Sequence, residues 1–193
     1  MLLAMNSDDV LSLYRQSGAL LDGHFRLTSG LHSSAYLQSA LVLQHPAHAE
    51  ALGRALADWF RAAAPTVVLS PALGGLIIGH EVARALGVRA IFAERVDGTL
   101  TLRRGFSVSS ADRVVVIEDV VTTGGSTRET IAVAAEAGAT VVGAGSIIDR
   151  SGGSSDVDAP FHALVALKVP TYDPASCPLC QAGTPAVKPG SRT

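Results

Sequence analysis

The chain has 193 residues, of which 48% are hydrophobic and 17% charged, and its formal net charge is −2 at pH 7. This balance predicts one globular domain with a sizeable core and excludes a largely disordered chain. Because the net charge offers no basic field, we expect no nucleic acid as a partner. No apolar run reaches the length of a membrane span and no secretory signal is visible, so we expect no membrane association and a cytoplasmic location.

The first part of the chain shows a helical pattern and then an alternating one. Apolar residues at helical spacing predict a helix within residues 7–21, capped by Ser7 or Asp8. Gly18 is expected to end this helix, although residues 19–21 continue apolar into the next turn. Weaker alternation over residues 23–38, with turn residues between the apolar positions, predicts a short β-hairpin or an extended flap. For residues 32–34, a solvated turn is the alternative interpretation.

Residues 46–64 form the clearest predicted helix. Pro46 fits its first position, and apolar residues recur at helical spacing up to residue 63. Trp59 falls on the apolar stripe, so we expect it in the core rather than stacked on a ligand.

The first core strand, predicted over residues 66–69, leads directly into a glycine turn. This turn contains Gly74 and Gly75, and a helix over residues 76–86 follows it. A strand, a glycine turn and a helix in this order are typical of sites that hold phosphate on backbone amides. A tight turn that needs glycine for steric reasons alone is the alternative.

Residues 88–94 predict a buried strand, and residues 95–105 predict a hairpin that turns at the Asp-Gly pair 97–98. The basic residues of the hairpin are Arg95, Arg103 and Arg104, and it contains no lysine. Arginine neutralises phosphate oxygens by bidentate contacts but cannot donate a proton, since its pKa exceeds about 12. Arg95, nearest the strand end, is the candidate for an anion contact, and a solvated hairpin face is the alternative for the other two.

Residues 114–127, here called the signature segment, carry the densest chemistry. Four apolar β-branched residues end in Glu118 and Asp119, and a loop of hydroxyls and glycines leads into a helix predicted over residues 125–137. This pattern predicts a buried parallel strand whose carboxyl end opens into a ligand crevice. The candidate binding residues of the loop are Val120, Val121, Thr122, Thr123, Gly124, Gly125, Ser126 and Thr127.

The residue types of the signature segment favour a ribose phosphate as ligand. Gly124 and Gly125 allow positive φ and a close approach of the backbone. Backbone amides and hydroxyls at the start of the following helix suit a phosphate group. The two acids only accept hydrogen bonds when ionised, so they suit sugar hydroxyls or a hydrated Mg²⁺ ion. An ordinary strand–loop–helix turn with acids is the alternative.

Arg150 stands out in the last third of the chain. Residues 140–148 predict an interior strand that ends in Asp149 and Arg150, and a strand over residues 163–167 is predicted at or near a sheet edge. The fork of the guanidinium suits a planar carboxylate. A surface pair between Arg150 and Asp149 is the alternative.

The tail over residues 177–193 is rich in proline and glycine and holds the two cysteines of the chain, Cys177 and Cys180. Two cysteines do not make a disulfide framework and fit a reducing compartment. Their Cys-Pro-Leu-Cys spacing has the form of a zinc-knuckle turn but supplies only half of a tetrahedral site, which histidines or a partner subunit would have to complete. A plain structural tail and a reversible disulfide are the alternatives.

The run Glu-Asp-Val-Val-Thr-Thr-Gly-Gly-Ser-Thr over residues 118–127 resembles the signature that binds phosphoribosyl pyrophosphate (PRPP) in type I phosphoribosyltransferases. The resemblance covers roughly residues 10–170 and implies the α/β fold of that family, with a mostly parallel sheet flanked by helices. We expect a single phosphoribosyltransferase domain over residues 1–176, in which about residues 1–45 and the late chain form a hood.

The same resemblance implies roles for individual residues. Asp119 and Arg95 are expected to be catalytic, and Glu118 to bind PRPP beside them. The turn with Gly74 and Gly75 is expected to hold the pyrophosphate group of PRPP. Mg²⁺, bound mainly through PRPP, is the expected cofactor.

A second resemblance, to orotate phosphoribosyltransferases, rests on two features. Residues 23–36 match the pattern Gly-x-Phe-x-Leu-x-Ser-Gly-x-x-Ser-x-x-Tyr of the segment that covers the pyrimidine, and a strand ending in Asp-Arg supplies the arginine that binds the orotate carboxylate. The resemblance implies that Thr122, Arg150 and Tyr36 contact orotate, which reacts with PRPP to give orotidine 5′-phosphate and pyrophosphate. Members of this family are usually homodimers, so we expect a dimer.

The chain departs from the orotate family at three places. Thr28 replaces the basic residue that usually precedes the Ser-Gly of the flap, Gly74 replaces a common lysine, and the hairpin over residues 95–105 lacks the lysines and the histidine of the family's catalytic loop. Three alternatives therefore stay open. They are a phosphoribosyltransferase for another base, a non-catalytic regulator that senses PRPP, and a generic nucleotide-binding α/β protein.

Overall fold

The computed structural model describes residues 5–27 and 29–188. In chain order the elements are α1 (Ser7–Gln16), β1 (Leu20–Arg26), β2 (His32–Leu37), α2 (Ser39–Leu43), α3 (Pro46–Phe60), β3 (Val67–Pro71), α4 (Gly75–Leu86), β4 (Arg89–Val96), β5 (Thr99–Leu102), β6 (Arg113–Val121), α5 (Gly125–Glu136), β7 (Thr140–Asp149), β8 (Phe161–Ala166), β9 (Thr171–Tyr172) and α6 (Pro178–Gln181). Two short 3-10 turns, Arg61–Ala63 and Pro174–Ser176, follow α3 and precede α6.

The main sheet has six strands in the order β5-β4-β3-β6-β7-β8. Neighbouring strands are parallel except β4 and β5, which form the predicted hairpin. Asp97 and Gly98 both have positive φ at its turn, as a two-residue hairpin loop requires. The predicted α/β class with a mostly parallel sheet is confirmed.

Helices cover both faces of this sheet. On one face, Val115 and Ile117 of β6 pack with apolar residues of α1, α3 and α4. On the other face, Val114 and Val116 pack with Ile131 of α5. Because successive residues of a strand point to opposite faces, burial on both sides explains the unbroken apolar run of the signature strand.

The strand order changes direction beside β3, which pairs with β4 on one side and with β6 on the other. The chain moves outward from β3 to β4 and later returns to β6, so the loops that follow β3 and β6 diverge at the same edge of the sheet. A reversal of this kind opens a crevice beyond the carboxyl ends of the strands, where ligands bind in such folds. The glycine turn and the signature loop both begin at this edge.

A second, smaller sheet joins the N-terminal segment to the late chain. Its order is β1-β2-β9, with β1 and β2 forming the predicted antiparallel hairpin. His32 and Ser33 are buried, so the solvated turn suggested for this stretch is wrong at these two positions. Thr28, where the family's basic residue is missing, lies outside the described residues.

The boundary proposed between domain and tail stays a prediction, but the tail contacts the smaller sheet. Val187 accepts a hydrogen bond from the amide of Arg26 and donates one to the carbonyl oxygen of His24, each 2.8 Å long. These bonds occupy the free edge of β1. The residues after β9 therefore pack on the sheet built by the first part of the chain.

The first helix ends just before Gly18, as predicted, but its N-cap differs from the prediction. Asn6 caps it through reciprocal bonds with Asp9, and it ends at Gln16, so neither Ser7 nor Asp8 is the cap. Leu20 and Leu21 instead begin β1. Their apolar character extended the helical pattern in sequence, although the chain reverses at Gly18, which has positive φ.

Trp59 is not a core residue, contrary to the sequence-based prediction. It is 57% exposed and stacks on His162 of the edge strand β8, with 4.4 Å between ring centroids. The apolar stripe of α3 extends beyond the width of the sheet at this end, so the indole covers the sheet rim. Among the described residues, no helix combines the length and the apolar character needed to cross a membrane.

Candidate active site

The signature loop leaves β6 at Val121 and enters α5 at Gly125. Gly124 has a φ of 75°, and a Cβ at this position would lie 2.8 Å from the carbonyl oxygen of Asp156, so only glycine fits. Gly125 does not share this conformation, contrary to prediction, because it is already the first residue of the helix. Of the other predicted loop residues, Val121 is buried, Val120 and Ser126 are half-buried, and Thr122 and Thr123 are exposed.

The start of α5 presents backbone amides toward the crevice. No side chain caps this end of the helix. The hydroxyl of Thr127, predicted as a phosphate donor, instead donates to Oε2 of Glu118 over 2.5 Å. The first-turn amides therefore remain the principal donors here, as is usual at a helix N-terminus that binds an anion.

The two acids at the end of β6 are half-buried, so little water solvates their carboxylates. Burial raises the pKa of Glu118 to about 7, although the hydrogen bond from Thr127 acts in the opposite direction. Burial also raises the pKa of Asp119, and the Ser39 hydroxyl beside it lowers it in part. Groups that are desolvated in this way favour a ligand that supplies hydrogen-bond donors or positive charge.

The glycine turn after β3 meets the acid pair directly. A Cβ on Gly74 would lie 2.4 Å from Oδ1 of Asp119, so glycine at this position has a steric reason. A Cβ on Gly75 would lie 2.9 Å from the carbonyl oxygen of Ile117. The peptide bond between Ala72 and Leu73 in this turn is cis. The structure thus brings together two segments that the sequence separates by more than forty residues.

Arg150 lies directly beyond β7, and its amide donates to the carbonyl oxygen of Val121 over 2.8 Å. Its Nε is buried and has no hydrogen-bond partner among the described residues. Burial lowers the pKa of Arg150, and the neighbouring Tyr36 acts in the opposite direction. Tyr36 of β2 and Arg150, just after β7, are therefore neighbours beside the signature loop.

Asp149 does not neutralise Arg150, so the suggested surface pair is wrong. The Asp149 carboxylate is buried and accepts hydrogen bonds from the amides of Ser151 (2.8 Å) and Gly153 (3.0 Å). These bonds hold the loop after β7 in place. The guanidinium is left without an anionic partner in this part of the described chain.

A model of the phosphoribosyl transferase domain matches residues 39–170. A curated relative from Pelotomaculum thermopropionicum, named orotate phosphoribosyltransferase, is 53% identical over 188 residues, which cover 97% of this chain and 99% of the relative. The chain belongs to the orotate phosphoribosyltransferase family. A relative of the same name from Heliobacterium modesticaldum is 54% identical over 191 residues, with coverages of 98% and 100%.

A solved structure agrees with this membership of the orotate phosphoribosyltransferase family. The crystal structure of orotate phosphoribosyltransferase from Aeropyrum pernix superposes with a TM-score of 0.69 at 25% identity, over 82% of this chain and 94% of that one. The type I phosphoribosyltransferase fold predicted from the signature segment is therefore confirmed, and so is the predicted family.

In this member of the orotate phosphoribosyltransferase family, all three arginines of the hairpin are exposed, and two of them form salt bridges. Arg95 lies 2.9 Å from Glu129 of α5, and it also donates to the carbonyl oxygen of Gly98. Arg104 binds Glu94 through two bonds of 2.8 Å. Arg103 is exposed. Salt bridges therefore hold two of the three guanidinium groups.

Sequence reasoning missed three residues that support the site of the orotate phosphoribosyltransferase fold. Ser39, at the start of the unpredicted helix α2, bonds with the hydroxyl of the buried Tyr14 over 2.9 Å and lies beside Asp119. Arg128 donates to the carbonyl oxygens of Thr123 (3.0 Å) and Asp156, which ties the signature loop to the loop after β7. No local pattern distinguishes these residues, because each acts on a partner from another segment.

Proposed function

We propose that the chain transfers ribose 5-phosphate from PRPP to orotate, giving orotidine 5′-phosphate and pyrophosphate in pyrimidine biosynthesis. The observation that carries the proposal is the buried, unpartnered Nε of Arg150 beside Tyr36 at the carboxyl edge of the sheet. A buried N–H without a partner is costly, and a carboxylate bound at this half-buried guanidinium would satisfy it through bidentate bonds. Orotate carries such a carboxylate, and the close relatives bear the name of this activity.

The donor PRPP fits the signature segment. In the proposed complex, Glu118 and Asp119 accept hydrogen bonds from ribose hydroxyls, and residues 122–127 hold the 5′-phosphate through the amides of α5. The turn with Gly74 and Gly75 lies against Asp119, which suits a pyrophosphate bound next to the ribose. Thr122, exposed beside Arg150, completes the orotate contacts.

The reaction forms a bond between a pyrimidine nitrogen and C1′ while the bond from C1′ to the pyrophosphate oxygen breaks. The nitrogen loses its proton in the same reaction, and the departing pyrophosphate or solvent takes it up. Positive charge develops at C1′, as in glycosyl transfer generally. The ionised carboxylate of Asp119 stabilises that charge and orients the ribose. Arg150 fixes the acceptor ring so that its nitrogen faces C1′, and this positioning lowers the entropic part of the barrier.

The leaving pyrophosphate departs as an anion bound by guanidinium and backbone donors. Arg95 is the proposed contact, which requires it to exchange Glu129 for a phosphate oxygen. An arginine cannot supply a proton at neutral pH, so this chain relies on charge neutralisation rather than on a general acid in the hairpin. Replacement of the loop lysines by arginines therefore keeps the positive charge of the loop but removes its proton donors.

The acid pair also fits a divalent cation carried by the substrate. Glu118 and Asp119 offer carboxylate oxygens whose ionised forms are disfavoured by burial, and a hard cation favours those forms. Mg²⁺ supplies charge neutralisation of the pyrophosphate when bound. A homodimer and a cytoplasmic location complete the proposal.

The test is an absorbance assay of orotate consumption with PRPP and Mg²⁺. We expect turnover by the wild type, and a fall in kcat/KM for orotate of roughly 30-fold or more in Arg150→Ala, since loss of one partner in a buried charge pair costs at least about 2 kcal/mol. Arg150→Lys should retain intermediate activity because it keeps the charge and loses the fork. Arg54→Ala, on the outer helix α3, is the matched control.

Two outcomes would overturn the proposal in different ways. Turnover of another base, with no consumption of orotate, would make the chain a phosphoribosyltransferase of different specificity. Tight PRPP binding without turnover of any base would make it a PRPP-sensing regulator. An unchanged KM for orotate in Arg150→Ala would refute the carboxylate contact alone.

A further inference from the structure

Four side chains with metal-binding atoms converge at the junction of the smaller sheet and the tail. His24 belongs to β1 and His32 to β2. Cys177 lies directly before α6, and Cys180 lies within it. Their donor atoms all lie within 4.8 Å of one another. The first three residues are buried and Cys180 is exposed at the rim.

Four of the six distances between donor atoms lie between 2.8 and 3.8 Å, and three of these match a tetrahedral zinc site. Nε2 of His24 lies 2.8 Å from Nδ1 of His32, 3.5 Å from the sulfur of Cys177 and 3.8 Å from that of Cys180. The sulfur of Cys180 lies 3.3 Å from Nδ1 of His32. A tetrahedral Zn²⁺ ion, with bonds of about 2.0–2.1 Å to nitrogen and about 2.3 Å to sulfur, separates its ligand atoms by about 3.3–3.8 Å.

The backbone of the tail orients one of the two imidazoles. Nδ1 of His24 lies 2.6 Å from the carbonyl oxygen of Thr184, which can only accept, so this nitrogen carries the proton. The neutral ring then presents the lone pair of Nε2 to the centre of the cluster. Histidines that bind metals usually donate their second ring N–H to a carbonyl oxygen or a carboxylate in this way.

We propose that His24, His32, Cys177 and Cys180 bind one structural Zn²⁺ ion. Two thiolates and two neutral imidazoles balance the two positive charges of the metal, so the buried site is neutral overall. Two nitrogen and two sulfur ligands in a tetrahedral arrangement are the set that selects zinc. The cysteine pair, only half a site in sequence, is thus completed by the two histidines of the same chain.

The proposed ion joins segments that are far apart in sequence. It connects β1 and β2 to residues more than 140 positions later in the chain. A shift in the β1 register between Asp22 and Phe25 places His24 at an irregularity of the strand. Tyr36 lies on β2 as well, so the ion anchors the same hairpin that approaches Arg150. The site therefore fixes the hood without taking part in the chemistry.

The first test is metal analysis of the full-length protein after dialysis against one equivalent of Zn²⁺. We expect about one Zn²⁺ per wild-type chain. Cys180→Ser is the decisive variant, because Cys180 is exposed and its replacement leaves the core unchanged. Its affinity for Zn²⁺ should fall by more than the roughly 10- to 100-fold that loss of an outer-shell partner causes. His32→Asn should lose the ion similarly, whereas the exposed His80→Asn should retain it.

The second test replaces Zn²⁺ by Co²⁺ and follows the visible spectrum. Tetrahedral Co²⁺ with thiolate ligands should give intense absorption in the wild type and none in Cys180→Ser. Both thiols should resist modification with metal bound and react after removal by a chelator. Removal of the metal should lower the midpoint of thermal unfolding by about 8–16 °C. The reference is the protein in the presence of free Zn²⁺ at about a thousand times its Kd.

Three results would overturn the inference. The first is a wild-type metal content far below one per chain after dialysis against Zn²⁺. The second is equal metal content in the wild type and Cys180→Ser, which would place the ion elsewhere. The third is a disulfide between Cys177 and Cys180 in protein that was expressed in a reducing compartment and freshly purified. Mass spectrometry would show it as a loss of two hydrogens.

Discussion

Charged side chains are treated in opposite ways at two places in this protein. At the carboxyl edge of β6 and β7, Glu118, Asp119 and Arg150 are desolvated and have few partners. In the hairpin of β4 and β5, Arg95 and Arg104 are exposed and already paired with carboxylates. Unpartnered buried charge lowers stability and is tolerated where a ligand will supply the partner, whereas exposed pairs exchange partners at low cost.

The sheet edge and the hairpin have different tasks in the proposed reaction. The sheet edge holds fixed groups that must recognise the ribose and the acceptor before the reaction begins. The hairpin holds cations that can leave one anion for another as pyrophosphate forms. We therefore expect substitutions at the edge to have larger effects than substitutions in the hairpin.

The largest effect is expected for Asp119→Asn. Removal of the carboxylate that faces developing positive charge should lower kcat by about 10²–10³-fold, a range typical of a lost electrostatic contact in a preorganised site. The measurement is steady-state turnover at saturating PRPP and orotate. Asp58→Asn, on the exposed side of α3, is the control and should behave as the wild type. A threefold effect or less in Asp119→Asn would contradict the assignment.

The hairpin should show an intermediate effect at one arginine and almost none at the other. Arg95→Ala removes the proposed pyrophosphate contact and should lower kcat/KM for PRPP by roughly 10- to 100-fold, as for a lost hydrogen bond to a charged group. Arg104→Ala breaks only an exposed pair with Glu94 and should stay within about threefold. If Arg104→Ala lowered kcat/KM more than Arg95→Ala does, the pyrophosphate contact would have to be assigned to Arg104 and not to Arg95.

A further expected effect concerns the pH dependence of kcat/KM. Because the pKa of Glu118 is raised to about 7, kcat/KM for PRPP should rise by up to about tenfold per pH unit below pH 7 and level off above it. Glu118→Gln should remove this limb. Comparison of the two profiles separates Glu118 from the titration of the substrate phosphates, which affects both proteins equally.

The same group makes a prediction about stability with a definite sign. The pKa rises from 4.5 in the unfolded chain to about 7 in the folded protein, so protonated Glu118 favours the fold below pH 4.5 and this contribution is lost as pH rises through 7. Urea unfolding at pH 8 should therefore find Glu118→Gln more stable than the wild type, by up to about 3 kcal/mol. At pH 4.5 the difference should disappear.

Much of the fold could be predicted because its signals are local. The apolar run that ends in Glu118 predicts a parallel strand, and the glycines at positions 98 and 124 predict turns with positive φ that the structure confirms. The prediction that Trp59 is buried was wrong because helical periodicity identifies the apolar face of a helix but not how far the opposing sheet extends. The prediction of the first N-cap was wrong because Asn6, Ser7 and Asp8 are all residue types that cap helices, and only the backbone shows which of them does so.

By itself, the sequence determined the signature segment, the strands and helices of the main sheet, and the family to which they belong, since each depends on neighbouring residues and their spacing. Only the tertiary structure decided which distant residues meet. It placed Gly74 against Asp119, Tyr36 beside Arg150, and His24 against two cysteines more than 150 residues later. The physical reason is that burial and convergence arise when separate segments pack together, and no local pattern encodes the partner that packing will supply.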